Sequence, residues 1–237
     1  MNKYLVDAHT HTLASGHAYS TITEMITAAR ARELKLLAIT EHGPRMPGSC
    51  HDFYFDNLKV LRRHYDDIEV MFGAEANILD FDGRLDIPDE KARRLDLVIA
   101  SLHIPCITPG SMEDNTRAYM NVMKNPLVSI IGHPDDSRYP VDYERLVPAA
   151  RDAGVLIEIN NSSLSPNSFR PNTHENDIHL LTLCKEYHVP VILNSDAHVA
   201  DDVGNFTYAL PLLKETGFPE ELVINTQADS LKEYIRR

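Results

Sequence analysis

The sequence predicts an α/β fold, a distorted (β/α)7 barrel, and three observations lead there. Strand and helix signals alternate along the whole chain. The strands are nearly all apolar, as parallel strands are when both faces are covered. Most of them also stop on a histidine or a carboxylate. Open doubly wound sheets share the first two features but gather their site at one switch point, whereas a barrel lines up the carboxyl ends of all its strands on one rim.

The elements follow in order. Val6–Ala8 is a short strand running into His9-Thr10-His11, and Thr21-Ile22-Thr23-Glu24 has the form of a capping box opening a helix to about Leu34. Leu36–Thr40 runs into Glu41-His42, and a Pro/Gly-rich loop follows. Leu58, Leu61, Arg62 and Tyr65 sit at helical spacing, which predicts a helix over Phe55–Asp66. The next strand ends at Glu75, and the stretch from Ile78 to Ile87 makes an excursion around an Asp82-Gly83 turn. Strands are predicted at Asp96–Leu102, Leu127–His133, Val155–Asn160 and Pro190–Ser195, and helices at Met112–Lys124, Asp142–Ala153 and His174–Tyr187. A helix at Gly204–Thr216, a short Leu222-Val223-Ile224 run and a helix at Ala228–Ile235 close the chain. No linker, low-complexity stretch or repeat interrupts this, so residues 1–237 read as one TIM-like domain with its site at the carboxyl-terminal rim.

Composition narrows the classes of function. Hydrophobic residues make up 43% of the chain, enough for a folded interior. No apolar stretch approaches the ~20 residues that span a bilayer, which leads to the expectation of a soluble, cytoplasmic protein without a membrane partner. Cys50, Cys106 and Cys184 show no paired spacing, so neither a disulfide framework nor a cysteine-type zinc site is expected. The formal net charge is −12 and the basic residues are dispersed, which argues against a long nucleic acid as partner. A small anionic ester drawn to local metal charge remains compatible.

The strand ends carry the chemistry. His9 and His11, two apart on an extended segment, present both imidazoles to one side, and Asp196 and His198 repeat the spacing. Glu75 ends an apolar strand, where an unpaired carboxylate is costly to bury, so a cation partner is expected. His42, His103 and His133 follow strands in the same way, and His17 lies in the first loop. These seven histidines with Glu75 and Asp196 exceed the roughly four ligands of one zinc ion and suit two or three ions. Imidazole and carboxylate accept Zn²⁺, Mn²⁺ or Fe²⁺. His51, in the loop after the second strand, is a weaker candidate for the site mouth, whereas His64, His179 and His188 fall on predicted helices.

The motifs Asp7-Ala8-His9-Thr10-His11, Thr40-Glu41-His42, Gly73-Ala74-Glu75, His103, His133 and Ser195-Asp196-Ala197-His198 resemble those of the PHP (polymerase and histidinol phosphatase) family over essentially the whole chain. His17-Ala18-Tyr19-Ser20 and Glu158-Ile159-Asn160-Asn161-Ser162-Ser163 are similar to its YcdX-like phosphatase branch. The resemblance implies a phosphatase with about three Zn²⁺ per subunit and a possible homotrimer. It implies one ion on His9, His11, Glu75 and Asp196, a second on His17, His42 and His198, and a third on Glu75, His103 and His133, with Glu75 bridging. Glu41 departs from the aspartate common in that family. The expected reaction is attack of a metal-bound hydroxide on a small phosphomonoester, with Glu75, Asp196 and Arg170 in the catalytic group and Arg170 gripping the phosphate. Asp7 and Asn160 would orient ligands. The alternatives are a phosphodiesterase or short-oligonucleotide exonuclease, an amidohydrolase-type enzyme (although no strand-end lysine is visible), or a metal-binding regulatory module without turnover.

Overall fold

The computed structural model describes residues 4–235. Its sheet runs β1 (Val6–Asp7), β2 (Leu36–His42), β4 (Ile68–Asn77), β5 (Val98–Ser101), β6 (Ile130–Ile131), β7 (Leu156–Asn160) and β8 (Val191–Asn194), each parallel to the next, with β3 (His64–Tyr65) antiparallel on β4. The seven parallel strands make a nearly closed barrel. Around it lie α1 (Ile22–Ala31), α2 (Phe53–Asn57), α3 (Asp89–Ala92), α4 (Met112–Val122), α5 (Tyr143–Ala153), α6 (Thr173–Tyr187) and α7 (Ala209–Glu215). Among the described residues no helix is long and apolar enough to cross a membrane.

Alternation along the strands sorts the buried apolar residues into two sets. Leu37, Ile39, Val70, Phe72, Val98, Ile157, Ile159, Val191 and Leu193 pack with Met25, Ala118, Leu146 and Leu180 of the helices. Val6, Leu36, Ala38, Met71, Ile99, Ile130, Leu156 and Ile192 form a second cluster with no residue of α1–α7. The second set therefore fills the barrel's interior, and Ile224 and Leu231 pack into it from the carboxyl-terminal segment.

Closure between the first and last strands is made largely by side chains. The Asn225 Oδ1 accepts from Leu193 N at 2.8 Å, and its Nδ2 donates to the Val6 and Leu193 carbonyls at 2.8 and 2.7 Å. Higher up, Ala8 N donates to Asn194 Oδ1 at 2.9 Å and His11 N to the Ala197 carbonyl at 2.9 Å.

Three sequence expectations are corrected. The helix expected over Phe55–Asp66 is α2 and a 3₁₀ turn at Leu58–Val60, after which the chain extends into β3, so His64 lies on a strand. Asp66, at φ 53°, turns β3 back onto β4, and its tolerance of left-handed backbone outweighs the helical spacing. The helix expected from Gly204 begins only at Ala209, and Ala228–Ile235 contains a 3₁₀ segment, Ser230–Tyr234. The capping box at Thr21 is as expected: Glu24 Oε2 accepts from Thr21 N at 2.7 Å.

Candidate metal centre

The strand ends bring the nine expected residues into one cage. Glu75, the end of an apolar run in β4, sits at its middle and is 1% exposed. Its Oε2 lies 3.3 Å from His9 Nε2 and 3.5 Å from His11 Nε2, while its Oε1 lies 3.2 Å from His103 Nε2 and 2.8 Å from His133 Nε2. Asp196 Oδ1 is 3.7 Å from His9 Nε2 and 3.3 Å from His11 Nε2. A tetrahedral ion with bonds of ~2.0–2.1 Å has ligand–ligand edges of about 3.3–3.4 Å. The four imidazole–carboxylate edges of His9 and His11 with Glu75 and Asp196, 3.3–3.7 Å, fall close to that figure. On the outer side, His17 Nε2 and His42 Nε2 are 3.1 Å apart, and the His198 ring centroid is 4.9 Å from that of His17. His42 Nδ1 also approaches Glu75 Oε2 to 2.6 Å, which links this outer group to the central carboxylate.

Hydrogen bonding fixes which nitrogen each ring presents. The His9 Nδ1 lies 2.7 Å from Glu158 Oε1, His103 Nδ1 2.7 Å from Asn77 Oδ1, and His198 Nδ1 3.0 Å from the Asp196 carbonyl. Those oxygens only accept, so each Nδ1 carries the proton. Ser15 Oγ donates to Glu41 Oε2 at 2.6 Å and accepts from His42 N at 3.0 Å, so it also accepts from His11 Nδ1 at 3.1 Å. Four rings thereby turn Nε2 toward the cage as lone pairs. The Nε2 atoms of His9, His11 and His103, together with Glu75 Oε2, are buried without a hydrogen-bond partner. Such convergence of unpartnered donors is costly unless a cation completes it, and the donor set suits Zn²⁺, Mn²⁺ or Fe²⁺.

The titration directions agree with a strong local field. Burial raises the Glu75 carboxyl, but His103, His9 and His42 around it hold it well below the usual carboxylate range. Burial likewise raises Asp196, yet His9, His11, His198 and Arg170 bring it well below its ordinary value. His9 is lowered by burial and then driven well above its ordinary value by Glu158, Glu75 and Asp196. Those three carboxylates draw positive charge to one point, and a proton or a metal ion answers the same field. His11, hemmed in by burial and by His42 and His198, is held well below its ordinary value.

The backbone is held against its preference at two of these positions. His133 has φ 29° and Asp196 φ 53°, both in the left-handed region. Glu158 Oε2 accepts from His133 N at 2.7 Å, and Asp7 accepts from Ser195 N and Oγ at 3.1 and 2.5 Å, which secures the turn bearing Asp196. Gly43 lets Asp86 approach: a Cβ there would sit 2.2 Å from Asp86 Oδ1. Asp86 in turn accepts from Asn77 Nδ2 at 2.6 Å and so fixes the amide that orients His103.

Arg170 is not the solvent-exposed arginine that its loop position allows. Its side chain is 8% exposed, with Nη1 2.9 Å from Ser163 Oγ and 3.3 Å from Asp196 Oδ2, and its Nε has no partner. Asn160 Nδ2 donates to Glu158 Oε2 and Asp196 Oδ2 at 3.0 and 3.2 Å, which fits the orienting part expected of it. Glu41, 1% exposed, accepts from Thr12 N at 3.0 Å as well as from Ser15. His51 stands apart: its side chain is 86% exposed and pairs with Asp52. Sequence reasoning gave no role to Glu158, although its motif was noted, nor to Asn77, Asp86 or Ser15. For Glu158 the signal was present, a carboxylate inside an apolar strand.

Fold and cage together define a barrel hydrolase with a histidine- and carboxylate-rich centre. The family model described as the PHP domain matches residues 7–236, and the chain belongs to that family. It is 47% identical over 234 residues to a protein of Clostridium botulinum named probable phosphatase, covering 99% of this chain and 95% of the relative. A probable phosphatase of a Thermoanaerobacter species is 47% identical over 235 residues, with the same coverage of 99% and 95%. Among solved structures, the chain resembles a histidinol phosphate phosphatase of Lactococcus lactis, complexed with zinc, L-histidinol and phosphate. The TM-score is 0.66 at 21% identity, over 91% of this chain and 95% of that one, a likeness of fold.

Proposed function

We propose that the chain is a metal-dependent phosphoric ester hydrolase, a phosphatase converting small phosphomonoesters and water to an alcohol and inorganic phosphate. One observation carries the reading: four imidazoles whose Nδ1 atoms are committed elsewhere turn Nε2 toward a cage centred on the two-sided carboxylate Glu75. The names of the relatives, probable phosphatases, support it. So does the zinc, L-histidinol and phosphate bound by the solved neighbour.

In this reading His9, His11, Glu75 and Asp196 hold one ion, His17, His42 and His198 a second, and Glu75, His103 and His133 a third. Zn²⁺ is the preferred ion, with Mn²⁺ or Fe²⁺ as substitutes. Divalent ions in such a cage supply Lewis acidity toward phosphoryl oxygens and acidify water. The chain's own residues do the rest. Arg170 offers its buried Nε–H to a phosphoryl oxygen while Asp196 holds its guanidinium in place. Glu158, Ser15, Asn77 and the Asp196 carbonyl keep the four rings in the required tautomer.

The test is elemental analysis of protein purified without added metal, paired with phosphate release before chelation, after it, and after refilling. Two or three transition ions per subunit and chelator-sensitive activity are expected. No bound metal together with activity indifferent to chelators would overturn the proposal. The same preparation, run in a sedimentation experiment, tests whether the subunit is a homotrimer.

A further inference from the structure

Above the cage lies a cavity of about 710 Å³. His17, His42, His103, Asp196 and His198 line it on the cage side. Loops after β2, β5 and β7 bring Met46, Pro47, Ile104, Pro105 and Phe169 to it as an apolar wall. Ile104 is 43% exposed and Phe169 73%, large apolar side chains left open directly beside candidate chemistry.

Phe169 is not loose. The Arg138 guanidinium carbon lies 4.7 Å from its ring centroid and that of Arg170 5.5 Å. Arg138 is itself tied by its Nε to both oxygens of Asp136 at 2.9 Å. A ring held by two anchored guanidinium groups has little freedom left to lose, so it is a pre-organised stacking platform. The charges beside it are paired, Arg138 with Asp136 and Arg170 with Asp196, so what the ring offers a ligand is its apolar face.

Resting on the phosphatase reading, we propose that Phe169, with Ile104, Pro105 and Met46, is the leaving-group subsite, and that the substrate class is phosphomonoesters whose alcohol carries a flat apolar ring. The phosphate lies over the cage and the ring of the departing alcohol stacks on Phe169.

Two primary alkyl phosphates isolate the contribution of the ring: butyl phosphate and 3-phenylpropyl phosphate. Phosphate release by the metal-loaded enzyme should give kcat/KM about tenfold higher for 3-phenylpropyl than for butyl phosphate, the scale of one aromatic contact. In Phe169→Ala the phenylpropyl-to-butyl ratio should collapse toward one, and Phe169→Tyr should restore it. Equal kcat/KM for the two esters, or a ratio unmoved in Phe169→Ala, overturns the subsite and leaves the phosphatase reading standing. Release from neither ester overturns both.

Discussion

At the amino-terminal end of the barrel the inward positions carry Val6, Leu36, Ile99, Ile130, Leu156 and Ile192, all buried and apolar. Further along the same strands, at steps of two, they become Thr40 and His42, Ser101 and His103, Glu158 and Asn160, Asn194 and Asp196. One backbone thus supports two interiors. The lower one is apolar and close-packed, and replacing a side chain there removes contacts and leaves a cavity. The upper one gathers polar atoms that burial penalises, and it is stable only as far as each is bonded or bound by a cation. Damage to the lower layer should therefore be read in stability, and damage to the upper layer in chemistry and metal content.

The largest effect that tests this division is expected at Glu75. Glu75→Gln replaces the carboxylate facing His9 and His11 on one side and His103 and His133 on the other. It should lower kcat/KM for phosphate release by at least ~10³-fold and reduce metal per subunit, since metal chemistry supplies several kcal/mol. Retention of both would dissolve the distinction between layers. Ile130→Ala probes the other side of the comparison. Urea unfolding should show a loss of about 2–5 kcal/mol, with metal per folded subunit unchanged. Metal loss matching that of the Glu75 variant would mean that the two layers are not separable.

Asn77→Ala sharpens the boundary, because it touches the cage only through His103. Competition with a chelator should reveal metal affinity about 10–100-fold weaker. The smallest effect concerns Asp135 and Asp177, buried carboxylates outside the cage with no hydrogen-bond partner. Burial pushes Asp135 up to about 7 and Asp177 well above its ordinary value. Between the unfolded carboxyl value near 4 and about 7, the folded protein holds protons that the unfolded chain has released, so stability falls as pH rises across that window. Asp177→Asn should raise the urea midpoint at pH 8 relative to wild type and flatten the difference between pH 5 and pH 8. An equal shift at both pH values would show that Asp177 is not the group titrating.

Much of the upper layer was legible because strand ends are visible as abrupt changes, from Met71-Phe72-Gly73-Ala74 to Glu75 or from Ile130-Ile131-Gly132 to His133. The residues one level below were not. Asn77 lies in β4 past the apolar run that stops at Glu75, and its role depends on Asp86, brought back by the excursion after β4. Glu158 could have been found by the reasoning applied to Glu75, since both are carboxylates that an apolar strand would otherwise bury unpaired. Ser15 gave no signal, because a serine in a loop becomes a hub only once β2 lays Glu41 and His42 beside it. The error at Phe55–Asp66 has a similar source: periodic apolar residues met a turn set by two adjacent aspartates, and the sheet edge decided the outcome.

The seam stapled by Asn225 has a consequence for the order in which the molecule can be made. The first pair of imidazoles, His9 and His11, leaves the ribosome some two hundred residues before Asp196 and His198, and the amide joining their two strands follows later still. During synthesis the early histidines therefore have β2 beside them long before β8. The seam between β1 and β8 forms only after Asn225 has been made.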